Sequence, residues 1–419
     1  LQERTLERVG ESTQLNLCIV GDGAEAIALA GLVSANGTTQ DAGISIRLLG
    51  GVAAPHIELA SGSFNSSMVG QSNAVPASAS YQRFTSPVNF ARYYPDSDIK
   101  YSLKSREVEE CLYGADAVVI SGPATAYSAI ARALAPSLAC GTAIALVGAP
   151  MLGALQFGME LKEAAPDSLA NIVELDWLFN HAQSSPDGVA VLGLRRRVNL
   201  SGRSRNEIRR ALPLACVVSP GLLPASNMLE RGFLDAESVV RPVFALSALL
   251  GGKIEALGDL SSLLNRSNLA MLAELEQEIS RVSFSYKCAL ADFGRALREE
   301  SYCQVNFEPS SNDHGGDDLE SGYEATLAEA LIGISGEWFK GLNWSHRMVQ
   351  ELLSRYVSDH LVLMSDLAHL AKVPTPVLDG VISISSALVG FDLRNKARSL
   401  SHLRLNHYSQ SELLELVNS

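Results

Sequence analysis

The chain has 419 residues, 47% of them hydrophobic and 19% charged, with a formal net charge of −13. That length allows two domains, and that composition supplies ordinary globular cores. The negative balance argues against nucleic acid or an anionic membrane surface as a partner, because both reward clustered basic residues.

Residues 1–14 are polar and charged, and read as a tail. The first element is an apolar run, Leu15, Leu17, Cys18, Ile19 and Val20, with the character of a buried parallel strand. Gly21, Asp22, Gly23, Ala24 and Ala26 follow in the spacing G-x-G-x-x-A, and Ile27 to Val33 reads as a helix. Strand, glycine turn and helix start form the dinucleotide-binding fingerprint. Gly21 permits the turn, Gly23 lets the backbone approach a pyrophosphate, and Ala26 lets helix and strand pack closely. The helix N-terminus offers N–H groups and a positive dipole end to the phosphates. A tight strand–helix turn that binds nothing also needs glycine.

The second strand, Ile44 to Leu49, ends in Gly50 and Gly51. No acid stands at its tip to bind a ribose 2′-OH, which favours NADP over NAD. Arg47 is placed to serve a 2′-phosphate or to act as a structural residue, and its position within a strand favours the latter. Residues 60–80 read as loops, and residues 98–110 contain a charged helical stretch. Ala117 to Ser121 reads as a buried strand ending at Gly122-Pro123-Ala124, followed by a helix over Ala126 to Leu138 and a strand over Ala143 to Val147. This alternation predicts an α/β Rossmann-type, doubly wound parallel sheet. Its strand tips at Gly21, Gly122 and Gly148 are expected to face one crevice.

Ile172–Leu175, Gly188–Leu194, Arg197–Leu200 and Cys216–Val218 read as shorter strands that extend the sheet. Arg195, Arg196 and Arg197 are assigned to edge protection rather than phosphate binding. The Pro/Gly-rich stretch 219–225 is the expected boundary between a dinucleotide-binding domain over 15–218 and an all-helical domain over 219–419. Within the latter, Leu269 to Leu297 has the period of one long amphipathic helix. Residues 307–321 read as an exposed loop, and Val373-Pro374-Thr375-Pro376 as a helix stop. The six cysteines have no C-x-x-C spacing and read as reduced, buried thiols of a cytoplasmic protein, and no metal site is expected. No apolar stretch has the length and continuity of a membrane span.

The last hundred residues carry Arg355-Tyr356-Val357-Ser358-Asp359, then LVLMSDLAHLAKVPTPVLDGVI, then GFDLRNKARSLSHLRL. This order resembles the octopine/nopaline (opine) dehydrogenase family, whose second domain carries an R-Y-x-x-E-D segment and a V-P-T-P turn. The glycine unit, the Gly122-Pro123-Ala124 tip and the segment Leu146 to Phe157 fall in the family's order too. The resemblance implies NADP or NAD as cofactor. It also implies an amino acid or amine and a 2-oxo acid as substrates, joined through an imine that is then reduced. A homodimer is one assembly consistent with this reading.

The family's acid–base histidine lies in an N-x-x-x-H-P segment. Here the matching stretch is Glu237-Ser238-Val239-Val240-Arg241-Pro242, so arginine replaces histidine and glutamate replaces asparagine. Arginine does not exchange a proton near neutrality, but its planar fork can grip a carboxylate. Arg241 is therefore either a substrate clamp that stabilises charge or one half of a buried ion pair with Glu237. Asp359 matches the family's carboxylate across a gap, which His360 fills; these two are the candidates for handling the proton, and a helix cap is the other reading of Asp359. His346 and Tyr127 are candidate substrate contacts. Their structural alternatives are a helix start capped by Asn343 or Ser345, and ordinary packing in the first turn of a helix. A second functional reading keeps the fold and the nucleotide but drops the redox step: an atypical biosynthetic enzyme or a cofactor-binding protein.

Overall fold

The computed structural model describes residues 15–21, 25–26, 28–30, 32–33, 44–50, 81–85, 105–185, 188–195, 197–219, 221–258, 263–289, 291–299, 327, 330–331 and 345–418. Asp22, Gly23 and Ala24 lie outside them, as do the loops expected over 60–80 and 307–321. The chain divides into two compact units. Residues 1–91, 96–194 and 198–225 form the first, and residues 92–95, 195–197 and 226–419 the second.

The first unit begins with β1 (Leu15–Gly21), β2 (Ile44–Gly50) and β3 (Tyr81–Thr85). Then come α1 (Ser105–Leu112), β4 (Ala117–Ser121), α2 (Tyr127–Leu134), β5 (Ala143–Val147), α3 (Gly153–Ala164) and β6 (Asn171–Leu175). Strands β7 (Phe179–Ser185), β8 (Gly188–Leu194) and β9 (Val198–Gly202) follow, then α4 (Arg205–Val218) and β10 (Leu222–Pro224). Eight strands form one sheet in the order β10-β9-β6-β5-β4-β1-β2-β3. Neighbours from β3 to β6 run parallel, as the apolar runs imply, and β9 joins β6 antiparallel with β10 parallel to it. Leu17, Ile19, Val119, Ala145, Val147 and Val173 lie in its buried core.

The chain leaves β1 toward β2 and β3, then crosses back to β4 on the other side of β1. The β1 and β4 tips therefore flank the switch point of the sheet, where α/β folds bind ligands. Gly21 and Ser121 are paired across that point.

Several sequence expectations are corrected here. Strand β8 does not extend the sheet but pairs antiparallel with β7 as a separate ribbon. Cys216–Val218, apolar enough for a strand, is the last turn of α4; a short apolar run cannot distinguish the two states. Residues 222–224, expected in the domain break, add a strand beside β9, so the sheet unit runs to residue 225 rather than 218. Arg195 is buried and belongs to the helical unit, so it protects no edge, whereas Arg197 is exposed. The helix after β4 is shorter than 126–138, with 3-10 turns at residues 124–126 and 135–137 flanking α2.

The second unit is helical: α5 (Met228–Leu234), α6 (Glu237–Gly251), α7 (Arg266–Ser285), α8 (Phe293–Glu299) and α9 (His346–Tyr356). A π turn over Val357–Leu361 joins α9 to α10 (Val362–Leu370), and α11 (Pro376–Val389), α12 (Leu393–Lys396) and α13 (Gln410–Asn418) complete it. Helix α6 is buried from Glu237 through Leu246, which places it at the centre of this unit's packing.

The single helix expected over 269–297 is two. Its period is interrupted where Lys287 turns left-handed at φ +56°, and α8 restarts with the Phe293 N–H donating to Glu276 Oε2 at 2.7 Å. The V-P-T-P stretch ends one helix and starts the next, as expected. Pro376 takes the first helical position of α11, where its missing N–H costs nothing. The buried Glu278 carboxylate accepts the Val377 and Leu378 N–H groups, each at 2.9 Å, capping the α11 dipole from a neighbouring helix.

Candidate functional site

In the first unit the tip of β1 is packed so closely that a side chain has no room. A Cβ built on Gly21 would lie 2.8 Å from the Ser121 carbonyl oxygen and 2.9 Å from the Ala26 Cβ. Gly21 thus sits between the β4 tip and the helical residues that follow β1, and Ala26 is fully buried beside it. This is the small-residue packing that the fingerprint requires. Beyond Ser121, Gly122 and Pro123 are half-buried and Ala124 is buried at the start of its 3-10 turn.

Gln156 of α3, buried, donates its side-chain N–H to the Ala124 carbonyl at 3.2 Å and so ties this turn to a helix. Sequence reading missed it, because a glutamine in an apolar helix carries no motif. At the third tip, Gly148 has φ +66° and the indole of Trp177 lies directly where its Cβ would be. That tip is covered by an aromatic ring, in contrast to the expectation that it opens on a crevice.

Tyr127 is buried and packs edge-on against Phe157, with ring centroids 5.6 Å apart, which is the packing alternative for this residue. Arg47 is engaged with the end of α1: its Nη1 donates to the carbonyls of Cys111 at 3.1 Å, Glu110 at 3.3 Å and Tyr113. A guanidinium over the last carbonyls of a helix satisfies groups that the helix leaves unpaired. The Cys18 and Cys111 sulfurs lie 2.7 Å apart in the interior, and burial pushes the Cys18 thiol well above its ordinary value. Cys140, by contrast, is exposed.

The second unit gathers the other candidates into one buried polar cluster. Glu237, in the first turn of α6, bridges two arginines: Oε1 lies 2.7 Å from Arg195 Nη2 and Oε2 lies 2.7 Å from Arg241 Nη2. Arg241 is one helical turn along from Glu237 and is itself buried, so the ion-pair arrangement weighed for it is present. Its guanidinium carbon stands 5.8 Å from the centroid of the Tyr356 ring. The Tyr356 ring in turn stacks on His360, with centroids 5.9 Å apart and planes 27° apart.

The π turn explains how Asp359 and His360 enter this cluster. One residue more per turn breaks the regular hydrogen-bond ladder, a feature common at functional sites. Arg398 takes up two carbonyls there: its N–H donates to Ser358 O, and its Nη1 to Asp359 O, each at 3.0 Å. Asp359 is therefore not a helix cap; it lies mid-helix and buried. Burial raises its carboxyl above the ordinary carboxylate value, against the opposing pull of Arg398 and Arg355. Burial holds the His360 imidazole well below its ordinary value, and Arg398, Arg231 and Arg355 add to this, so the ring is neutral at physiological pH. His360 Nδ1 stands 3.9 Å from Asp235 Oδ2, a polar approach longer than a hydrogen bond. Among the described residues neither Asp359 Oδ1 nor His360 Nδ1 has a hydrogen-bond partner, which is unusual for buried polar atoms.

His346 is not part of this cluster's contacts. It is exposed at the first position of α9, whose cap is Ser345, accepting the Met348 N–H at 3.2 Å. Asp235, Tyr356, Arg231 and Arg398 belong to the cluster but were not singled out in the sequence. Only Tyr356, inside the R-Y segment, had a signal that could have found it.

No family model matches the chain. The curated opine dehydrogenase of Arthrobacter sp. (strain 1C) is 23% identical over 304 residues, spanning 70% of this chain and 76% of that protein. Among solved structures, an octopine dehydrogenase with NADH and L-arginine aligns with TM-score 0.60 and 16% identity, covering 96% of this chain and 98% of that one. A yersinopine dehydrogenase aligns with TM-score 0.60 and 14% identity, over 94% and 99% of the two chains. A ketopantoate reductase of the PanE/ApbA family from Ralstonia eutropha JMP134 shares the fold more distantly, at TM-score 0.51 and 13% identity over 90% and 99%. The Arthrobacter relative and the solved structures agree in likening this chain to the opine dehydrogenases, whose fold it shares.

Proposed function

We propose that this protein is an NAD(P)H-dependent reductase of the imine formed between an amino acid or amine and a 2-oxo acid. The observation that carries the reading is the buried cluster of the helical unit. There the Arg241 guanidinium, paired with Glu237, stands over the Tyr356 ring, which stacks on His360 beside the buried Asp359.

The residues of the first unit fit a dinucleotide. The close packing of Gly21 against Ser121 and Ala26 is what the tight turn of a pyrophosphate-binding fingerprint demands, and Gly21, Asp22, Gly23, Ala24 and Ala26 would hold the pyrophosphate, with Gly122, Pro123 and Ala124 at the adjacent tip. When held there, NADPH or NADH would supply the hydride for reduction of the imine. What remains for the chain is to bind an anion, keep its charge in place and handle a proton. His360 is suited to the proton: its ring is neutral, and Nδ1 stands ready to accept. Asp359 beside it is a buried carboxyl that burial raises above its ordinary value. Arg241 stays charged at every working pH and would stabilise the substrate carboxylate. Its ion pair with Glu237 is compatible with that role because Glu237 is shared with Arg195. On this reading the imidazole of the π turn would stand in for the histidine that the resemblance leads one to expect at position 241.

No helix among the described residues is long and apolar enough to cross a membrane. The cytoplasm is the proposed setting, consistent with the free thiols of Cys18, Cys111, Cys140, Cys216 and Cys288.

The test follows 340 nm absorbance of NADPH or NADH against pairs of amines (arginine, agmatine) and 2-oxo acids (pyruvate first), with mass spectrometry of the product. The expected result is cofactor oxidation only when both partners are present, yielding a secondary amine. Oxidation by the oxo acid alone would make the protein a ketone reductase, and no oxidation with any pair would overturn the proposal.

A further inference from the structure

We propose that Cys18 and Cys111 form a modification site, a dithiol that a hydroperoxide closes into a disulfide, clamping α1 to β1. Neither cysteine belongs to the glycine fingerprint, so the site stands apart from the reductase reading.

Strand alternation brings the two together. Leu17 and Ile19 of β1 point into the core on one side of the sheet, so Cys18 between them points to the other. Cys111 meets it there from the last turn of α1, with Val108 and Leu112 buried alongside. Both cysteines are fully buried, and their sulfurs lie 2.7 Å apart although 93 positions separate them in the chain. A closing movement of about 0.7 Å brings them to the ~2.05 Å of a disulfide. The other described thiols are placed differently: Cys140 is exposed, Cys216 is half-buried, and the Cys288 sulfur contacts Asn227 and the Tyr286 carbonyl.

A cation is also fixed at the pair. Arg47 is the register partner of Cys18 on β2, and register partners project from the same face of a sheet. Its Nη1 donates to the Cys111 carbonyl at 3.1 Å. A guanidinium beside a thiol favours the thiolate, the species that reacts. Burial acts in the opposite direction and dominates at Cys18, with Cys111 adding to the rise and Arg47 pulling it back. Cys18 is therefore protonated at rest, and the site reacts more slowly than a thiol in solvent. Hydrogen peroxide, small and uncharged, suits such a site. One thiolate attacks a peroxide oxygen, the O–O bond breaks, and hydroxide leaves with the thiol proton as water, giving a sulfenic acid. The second sulfur attacks the sulfenic sulfur. The S–S bond forms, the S–O bond breaks, and the hydroxyl leaves with the second thiol proton as water. Two thiols are oxidised, one peroxide is reduced and two waters are released.

The experiment exposes the reduced full chain to hydrogen peroxide for a day and quenches it with acid. The protein is then alkylated with N-ethylmaleimide in guanidinium, digested without reductant and mapped by mass spectrometry. Thermal melts are recorded before oxidation, after it and after dithiothreitol. The expected product is a peptide pair joining Cys18 to Cys111. The melt should rise by on the order of 10 °C, because the bridge restricts a long span of the unfolded chain, and dithiothreitol should return it. Cys140→Ser should behave as wild type in both measurements. Cys111→Ala should show no rise, and if it folds poorly the peptide maps of wild type and Cys140→Ser decide the matter. Recovery of Cys18 and Cys111 as alkylated thiols, when Cys140 has been fully oxidised, would overturn the proposal. So would bridges from either residue to a different cysteine. A Cys18–Cys111 bridge that leaves the melt where it was would overturn the clamp.

Discussion

Gly21 offers the sharpest test of the cofactor side. Substituting alanine adds one methyl group, and its nearest neighbours would be the Ser121 carbonyl oxygen at 2.8 Å, the Ala26 Cβ at 2.9 Å and the Ser121 Cβ at 3.2 Å. None of these is the far end of a flexible side chain. Two belong to a central strand whose five residues are all buried, and the third is a fully buried helical residue. The methyl is therefore accommodated only by parting β1 from β4 or from the following helix. Overpacking of this kind costs about 1–3 kcal/mol. For a unit of about 220 residues, 2 kcal/mol corresponds to a melting shift of roughly 4–8 °C. The displaced element is the tip that precedes the pyrophosphate turn, so NADPH affinity should fall by at least about tenfold, equivalent to about 1.4 kcal/mol. Ala26→Gly in the same chain should not rescue it, because the carbonyl contact remains. Scanning calorimetry with a fluorescence titration of NADPH reads both quantities. A Gly21→Ala protein that melts within 1 °C of wild type (roughly 0.3–0.5 kcal/mol) and binds NADPH unchanged would refute the packing argument.

Arg47→Ala removes the donor to three carbonyls at the end of α1 and should lower the melting temperature by several degrees. It should leave the NADPH-to-NADH affinity ratio unaltered, since the guanidinium is committed to the helix; a ratio that shifts toward NADH would return Arg47 to the 2′-phosphate. His360 links stability to acidity. Its folded-state value lies well below the ordinary 6.5, so the unfolded chain takes up a proton that the folded chain refuses. The stability this contributes is complete above pH 6.5 and is lost as the pH falls through that value toward the depressed one. His360→Gln should therefore show a smaller fall in melting temperature between pH 7.5 and 5.5 than wild type, together with loss of turnover at both; parallel melting curves would refute the assignment.

The local grammar of the strand unit was legible in the sequence. Buried parallel strands are continuous apolar runs, and β1, β4 and β5 begin and end where those runs do. Gly21 and Ala26 announced their spacing because a Cβ on Gly21 would lie under 3 Å from the Ser121 carbonyl and from the Ala26 Cβ, so only small residues fit there. Val373–Pro376 read as a helix stop because proline is disfavoured in a helix interior and favoured at the first helical position, where Pro376 stands.

What the tertiary structure decided was partnership. Cys216–Val218 is apolar enough for either state, and its place in the last turn of α4, against the sheet, made it helix. Arg195 looked like a solvated edge residue until a carboxylate 42 positions later claimed it. Asp359 and His360 are adjacent in sequence, but a π turn and an arginine near the end of the chain determine what surrounds them. Periodicity records which face of an element meets apolar surface. Charge pairing over long sequence separations leaves no period, so the polar cluster could be assembled only once the helices had been packed.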